Sequence, residues 1–279
     1  MTFIEFKNVS YKIEDKMILN NISFTIEQGE FVAVLGANGS GKSTLAKLIN
    51  GLILPTEGKV FVENMDTKNE MDLNKIRQKI GIIFQNPDNQ IVASTVEDDI
   101  AFGPENLNIE SDEIEKRIDN SLELVGLTDK RKASPHMLSG GQKQKVAIAG
   151  TLAMNTEGII FDESTSMLDP KSRSEVLNKI TELNKKNRMT IIYITHFAEE
   201  ILNADKIIIL DNGEIKKIGK LQEIFADNEM LKSLKNYRIE LPFVYNIAEK
   251  LRENNIKISC NVYDEKSLIY ELINYKKRG

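Results

Sequence analysis

Three short stretches of this chain hold residue types at spacings that suit chemistry on phosphates. The first, Gly36-Ala37-Asn38-Gly39-Ser40-Gly41-Lys42-Ser43, fits the pattern G-x-x-x-x-G-K-[ST]. Its glycines let successive backbone N–H groups turn inward as an anion nest, and a helix behind it adds the positive end of its dipole. In such a loop Lys42 reaches the β- and γ-phosphates of a nucleotide, while Ser43 turns its hydroxyl to Mg²⁺. Alone, the loop says only that phosphate binds. The second stretch, Gly158-Ile159-Ile160-Phe161-Asp162-Glu163, is an apolar run ended by two carboxylates. Asp162 is the expected Mg²⁺ partner, through water, and Glu163 the expected general base on an attacking water, a role worth about 10²–10⁴-fold in rate. The third is Leu138-Ser139-Gly140-Gly141-Gln142. Nothing in the chain's own glycine loop requires it, yet Ser139 and the bare backbone of Gly140 and Gly141 at a helix start make a second anion-binding surface.

These residues need a scaffold, and the hydropathy pattern supplies one. Phe3, Phe6 and Val9, then Ile22, Phe24 and Ile26, alternate as an antiparallel β start, broken by Asn20-Asn21 and Gln28-Gly29. Phe31 to Leu35 is continuously apolar, as a strand buried on both faces must be, and feeds the glycine loop; Ser43 to Asn50 continues as a helix. Between about 86 and 156 helices take over. Ser111 can cap a segment with Ile114, Ile118, Leu122 and Val125 on one face, and Gln142 to Met154 is the next helix. From Gly158 strands and helices alternate: strand to Phe161, helix Pro170 to Asn187, strand Thr190 to Thr195, helix Ala198 to Asn203, strand Lys206 to Leu210, hairpin turn Asp211-Asn212-Gly213. The expected fold is α/β, with a mainly parallel sheet core between helices, an antiparallel β subdomain and an α-helical subdomain bearing the third stretch. The main body is expected to span 1–237. A helical appendage over 238–279 follows, with Phe243, Ile247 and Leu251 on one face of a helix opened by Pro242, and Leu268, Leu272 and Tyr275 on another. It either packs on its own body or serves as a dimerisation element.

Composition bounds the remaining possibilities. With 41% hydrophobic residues over 279 positions the chain can bury an ordinary core. No run approaches the roughly 18 apolar residues of a spanning helix, and the start MTFIEFKNVS lacks the features of a signal peptide, so a cytoplasmic location is expected. A single cysteine, Cys260, excludes an internal disulfide and is expected to be an inert core residue. A net charge of −5 argues against nucleic acid as a partner.

Taken together and in this order, the three stretches resemble those of ATP-binding cassette (ABC) ATPases. The resemblance implies ATP and Mg²⁺ as ligands, with nucleotide contacts from Gly36 through Thr44. It also implies a head-to-tail dimer in which Ser139, Gly140, Gly141 and Gln142 of one subunit cover the γ-phosphate held by the other. By the same resemblance Tyr11 stacks on adenine, Gln85 senses Mg²⁺ and water, Ser166-Met167-Leu168-Asp169 crosses the dimer interface, and His196 senses the γ-phosphate. His136 has no motif around it. Ser164 departs from the proline or alanine that commonly follows the catalytic glutamate in this family.

The segment FQNPDNQIVASTVEDDIAFGPENL (84–107), with ESTSMLDP and the late ELPFVYNIAEKLRENNI, is similar to the ATPase subunits of energy-coupling factor (ECF) transporters, the first of two paralogues in particular. That resemblance implies a peripheral protein on the cytoplasmic face of the cell membrane. It would energise an integral membrane T subunit and, through it, a substrate-binding S subunit for a vitamin or a metal ion. Asp88 is then expected to meet a basic coupling helix of the T subunit. Whether the second ATPase is a paralogue or a second copy stays open, as does the substrate. A conventional ABC importer is the runner-up. An ABC ATPase acting on nucleic acid is disfavoured, because Lys42 to Ser139 carries no sustained heptads and no second P-loop follows. A regulatory module that never turns over ATP is disfavoured by the complete catalytic set.

Overall fold

A computed structural model describes residues 1–237, 239, 241–259, 262 and 264–278; Cys260 lies outside the described residues. Strands β1 (Thr2–Ile13) and β2 (Lys16–Glu27) pair antiparallel, β3 (Phe31–Leu35) starts a second sheet, and α1 (Lys42–Ile49) follows the glycine loop. Strands β4 (Glu57–Val62) and β5 (Met65–Asp66) then return to the first sheet, giving the order β2-β1-β4-β5. Phe3, Phe6, Val9, Ile22, Phe24 and Ile26 are all buried. Asn20-Asn21 does not break the strand, however. The chain turns at Glu14-Asp15, between the paired Ile13 and Lys16, and Asn21 (φ 50°) lies inside β2 at a bulge, with Asn8 (φ 50°) in a bulge on β1. Asparagine tolerates the left-handed backbone that such a bulge needs, so its turn signal was spent on a kink.

The next segments are α2 (Glu70–Lys79), β6 (Ile80–Ile83), α3 (Val96–Asn106), α4 (Ser111–Val125), α5 (Gly140–Ala153), β7 (Gly158–Asp162), α6 (Pro170–Asn187), β8 (Thr190–Thr195), β9 (Lys206–Asp211) and β10 (Glu214–Gly219). The second sheet runs β10-β9-β3-β8-β7-β6, parallel throughout except for the β9–β10 hairpin. That hairpin closes through Asn212 (φ 48°) and Gly213 (φ 75°), the two positive-φ positions of a tight type I′ turn. Buried on both faces, β3, β7 and β8 read as unbroken apolar runs for that reason.

Helices α3, α4 and α5 pack together over Ile100, Ile114, Ile118, Leu122, Val125 and Val146. Ser111 is the first residue of α4 rather than its cap. Glu110 precedes it without a side-chain cap, and Asp112 and Glu113 in the first turn favour the helix dipole instead. The expected helix over Ala198 to Asn203 is a single 3₁₀ turn, Ala198–Ile201, whose Glu200 is drawn inward and whose chain must rejoin β9 within a few residues.

Beyond β10 come α7 (Leu221–Ala226), α8 (Asn228–Asn236), α9 (Phe243–Glu253) and α10 (Glu265–Arg278). Ile239, Leu241 and Tyr245 join Ile224, Phe225, Leu231 and Leu234 in a core that covers Ala33 and Leu35 of β3. Ala248, Ile258, Val262 and Leu268 form a smaller cluster, with Ile247 and Leu251 against it. Phe243, at the helix start, is not buried with them. Its N–H donates to Glu199 Oε1 (2.8 Å) and its ring is 68% exposed, as the first helical residue can be without unpacking anything. Leu272 and Tyr275 are likewise exposed, leaving Leu268 as the buried anchor of α10. No described helix is long and apolar enough to cross a membrane.

Candidate functional site

The glycine loop lies at the C-terminal end of β3, in the middle of the parallel sheet, where ligands bind in open α/β folds. Two glycines are required there by sterics. A Cβ on Gly36 would stand 2.3 Å from Leu210 O and 2.4 Å from Ser40 Oγ, and one on Gly41 (φ 106°) would stand 2.6 Å from Leu19 Cδ2. Neighbouring segments brace the loop: Gly213 N–H donates to Ser40 O (3.0 Å), and Asn20 N–H donates to Gly213 O (2.8 Å). Lys42, buried at the start of α1, donates from Nζ to Gly36 O (2.7 Å) and Ala37 O (3.0 Å). Ser40 Oγ is buried and has no protein hydrogen-bond partner. Asn38 and Gly39 form the exposed rim, and Thr44 is half-buried in α1. Tyr11, half-buried in β1, is in register with Leu19, whose side chain abuts Gly41.

Asp162 and Glu163 follow from the end of β7. The Ser43 hydroxyl donates to Asp162 Oδ1 (2.9 Å). Burial pushes the Asp162 carboxyl above its ordinary range; the Ser43 bond opposes this, and the neighbouring Glu163 charge adds to it. A hydroxyl beside a carboxylate is a hard-oxygen pair of the kind Mg²⁺ takes when phosphates and water complete its shell. Among the described residues no group of three or more His, Cys, Asp or Glu could hold a metal ion, so a site made wholly of such side chains is not the arrangement here.

Glu163 is where four segments converge. Its backbone is left-handed (φ 48°), a conformation that costs a non-glycine residue about 1–3 kcal/mol. Its N–H donates to Ile194 O (3.0 Å), which pins it beyond the last β7–β8 pair. The carboxylate then lies 3.1 Å from Lys42 Nζ through Oε1, accepts from Gln85 Nε2 at 3.2 Å through Oε2, and has His196 Nδ1 3.5 Å from Oε2. That last distance is close contact and not a hydrogen bond, since His196 Nδ1 has no hydrogen-bond partner. The His196 ring is held instead by a tilted stack on Phe197, centroids 4.0 Å apart.

The stretch Leu138–Gln142 is separate from this group: no hydrogen bond or ion pair ties it to Lys42, Asp162 or Glu163. Ser139 caps α5 in a reciprocal box, its Oγ accepting from Gln142 N (3.3 Å) while Gln142 Oε1 accepts from Ser139 N (3.0 Å). The exposed Gly140 leaves this helix start open. The loop Ser166–Asp169 packs beside it, so that a Cβ on Gly141 would press Met167 O at 3.1 Å. Asp169 caps α6 by accepting from Ser172 N (3.0 Å), and hydrogen bonding from the Ser172 hydroxyl first, then from this N–H, lowers its pKa.

Two features had no clear sequence signal. Asp88, exposed in the turn after Gln85, pairs with Lys143 of α5 through Oδ1 (2.7 Å). Gln144 Nε2 to Phe84 O (3.2 Å) and Gln90 Nε2 to Thr151 Oγ1 (3.0 Å) bind the same turn to the same helix. The second feature is a buried polar cluster of Thr165, Tyr193, Thr195 and Glu200 with Arg173 at its edge.

The ABC transporter family matches residues 19–166. A Clostridium novyi (strain NT) protein named energy-coupling factor transporter ATP-binding protein EcfA1 is 48% identical over 278 residues, 98% of each chain. Its namesake from Clostridioides difficile (strain 630) is 46% identical over 273 residues, covering 96% of this chain and 98% of the relative. Among solved structures, cbiO1 from Clostridium perfringens, part of the ABC transporter complex cbiONQ, superposes with a TM-score of 0.73 at 35% identity, over 84% of this chain and 95% of that one. A dimeric ATP-binding cassette in a post-hydrolysis state, bound to ADP and Pi, gives 0.72 at 34% identity, over 78% of this chain and 98% of that one. The chain therefore belongs to the ABC transporter family and, within it, to the ATP-binding, ATP-hydrolysing subunits of energy-coupling factor transporters.

Proposed function

We propose that this chain drives an ECF-type uptake transporter by closing and reopening, with ATP, against a second ATPase subunit that is either a paralogue or a second copy. The observation that carries this reading is the convergence of Lys42, Gln85 and His196 on the Glu163 carboxylate. ATP lies along the loop Gly36–Thr44, with Tyr11 against adenine. The buried Lys42 ammonium, already shared between loop carbonyls and Glu163, is shared with the β- and γ-phosphates. Ser43, Asp162 and Gln85 are the residues that would hold Mg²⁺, which would supply charge neutralisation at the phosphates. Glu163 takes a proton from water as its oxygen attacks the γ-phosphorus, the bond to the bridging oxygen breaks and ADP leaves. His196 steadies the γ-phosphate. Ser139, Gly140, Gly141 and Gln142 cover the γ-phosphate of the opposing subunit, a role to which an open, capped helix N-terminus is suited.

The chain sits peripherally on the cytoplasmic face of the membrane, under a T subunit that connects it to an S subunit for a vitamin or a metal ion. The turn after Gln85 is the proposed seat of the coupling helix, and Asp88 would share its charge between that helix and Lys143. No nucleic acid is a proposed partner. Glu163→Gln tests the central assignment by keeping size and polarity while removing the base. In the assembled transporter ATP should still bind, whereas phosphate release should fall by about 10²-fold or more. Release near the wild-type rate would remove Glu163 from the role.

A further inference from the structure

Glu200 is a buried carboxylate that the catalytic assignments leave unused. Its two oxygens are occupied from different directions. Oε1 accepts from Thr165 Oγ1 (3.1 Å) and lies 3.4 Å from Arg173 Nε, while Oε2 accepts from Thr195 Oγ1. Hydrogen-bond bookkeeping fixes the direction of the cluster, because each threonine hydroxyl has one proton. Thr195 Oγ1 also accepts from Phe197 N (3.0 Å), and Thr165 Oγ1, 2.6 Å from Tyr193 OH, gives its proton to Glu200 and so accepts from the tyrosine. Glu200 is thus the shared acceptor at which both chains of hydrogen bonds end.

Those chains lead to the two loops that flank Glu163. Thr195 immediately precedes His196, and its bond to Phe197 N shapes the bend that carries the histidine. Thr165 N-terminally borders Ser166–Asp169, and its carbonyl accepts from Leu168 N (3.1 Å). Arg173, in the first turn of α6 after Asp169, lies with its guanidinium 5.1 Å over the Phe197 ring, the ring on which His196 stacks. A single anion and its guanidinium therefore clamp the segment holding His196 to the segment that starts at the base and ends at Asp169.

We infer that Glu200 is a positioning residue that sets His196 and the loop Ser166–Asp169 in one mutual geometry, so that hydrolysis requires both to be in place. The inference rests on the roles proposed above for His196 and that loop. Glu200→Gln keeps the shape but turns an NH₂ toward one of the two hydroxyls and removes the counter-charge of Arg173. In the assembled transporter, Glu200→Gln should lower the kcat of ATP hydrolysis about tenfold or more, as slight misplacement of reacting groups does. KM for ATP should stay within about twofold, since no nucleotide contact changes. Combined with His196→Ala, it should slow hydrolysis by a smaller factor than it does in the wild-type background, a non-additivity that mere loss of stability would not produce. Should Glu200→Gln fail to fold, the isosteric Thr165→Val cuts one of the two arms and carries the same expectations. A kcat within twofold of wild type, a change confined to KM, or an undiminished further loss in the His196→Ala background would overturn the inference. Normal hydrolysis by His196→Ala itself would sink the proposed role of His196 and this inference with it. A slow His196→Ala beside a normal Glu200→Gln would sink this inference alone.

Discussion

Asp162 carries a cost that its chemistry requires. Burial raises its carboxyl, and the Ser43 bond does not fully offset that. An acid whose folded-state pKa lies above the unfolded value of about 3.9 binds more protons folded than unfolded between the two. Its penalty on folding therefore begins as pH rises through the unfolded value and is complete above the folded one. Asp162→Asn removes it. Thermal melts without nucleotide should give the variant the higher Tm at pH 7, with the difference shrinking on acidification and gone below about pH 4. A variant no more stable than wild type at pH 7 would contradict the direction of the shift. Ser164, beside the base, is buried with its Oγ unpartnered, a desolvation cost that an apolar side chain there would not carry.

Helix α5 separates a capping role from a phosphate-binding role, because Ser139 is placed for both. Ser139→Ala should cost about 0.5–2 kcal/mol of stability by deleting the cap. Ser139→Asp keeps a cap yet sets a negative charge where an opposing γ-phosphate is proposed. It should melt within about 1 kcal/mol of wild type while losing phosphate release in the assembled complex, and full release would argue that α5 faces no phosphate. The legible elements share one property: their pattern is set by sequence neighbours. β3, β7, β8 and α6 match their expected spans to within a residue, because two-sided burial and a Pro170 start are local signals. Glu200 was not legible for the opposite reason. Two adjacent glutamates after His196 look like a solvated helix face, and only the approach of Thr165 and Arg173 from another part of the chain makes one of them buried. Asn20-Asn21 misled similarly, since its left-handed preference serves a bulge as well as a turn. In the site, each motif could be read by itself, but the grouping of Lys42, Gln85 and His196 on one carboxylate depends on where β3, β6, β7 and β8 lie in the sheet.

The appendage offers apolar surface without nucleotide: Ile269, Tyr270 and Ile273 of α10 are exposed, and Ile269 and Ile273 share a helix face. We propose that this surface holds ATPase subunits together when ATP has gone. Cutting the chain at 238 would strip Ile239, Leu241 and Tyr245 from the core over β3, so the sounder test is Ile269→Glu with Ile273→Glu. Light scattering of the nucleotide-free ATPase pair should show dissociation at unchanged Tm; unaltered association would exclude α10 as an interface. The position of β3 also reaches back to how the protein is made. Its sheet neighbours are β8 and β9, and the carbonyl of Ser40 is closed by Gly213, so both flanking strands and that closing bond are translated long after the glycine loop. At about 5–20 residues per second the wait is on the order of ten seconds or more. Throughout it the nascent chain carries an unpaired, wholly apolar strand beside the phosphate-binding motif, the kind of exposed edge that makes a folding chain prone to aggregate.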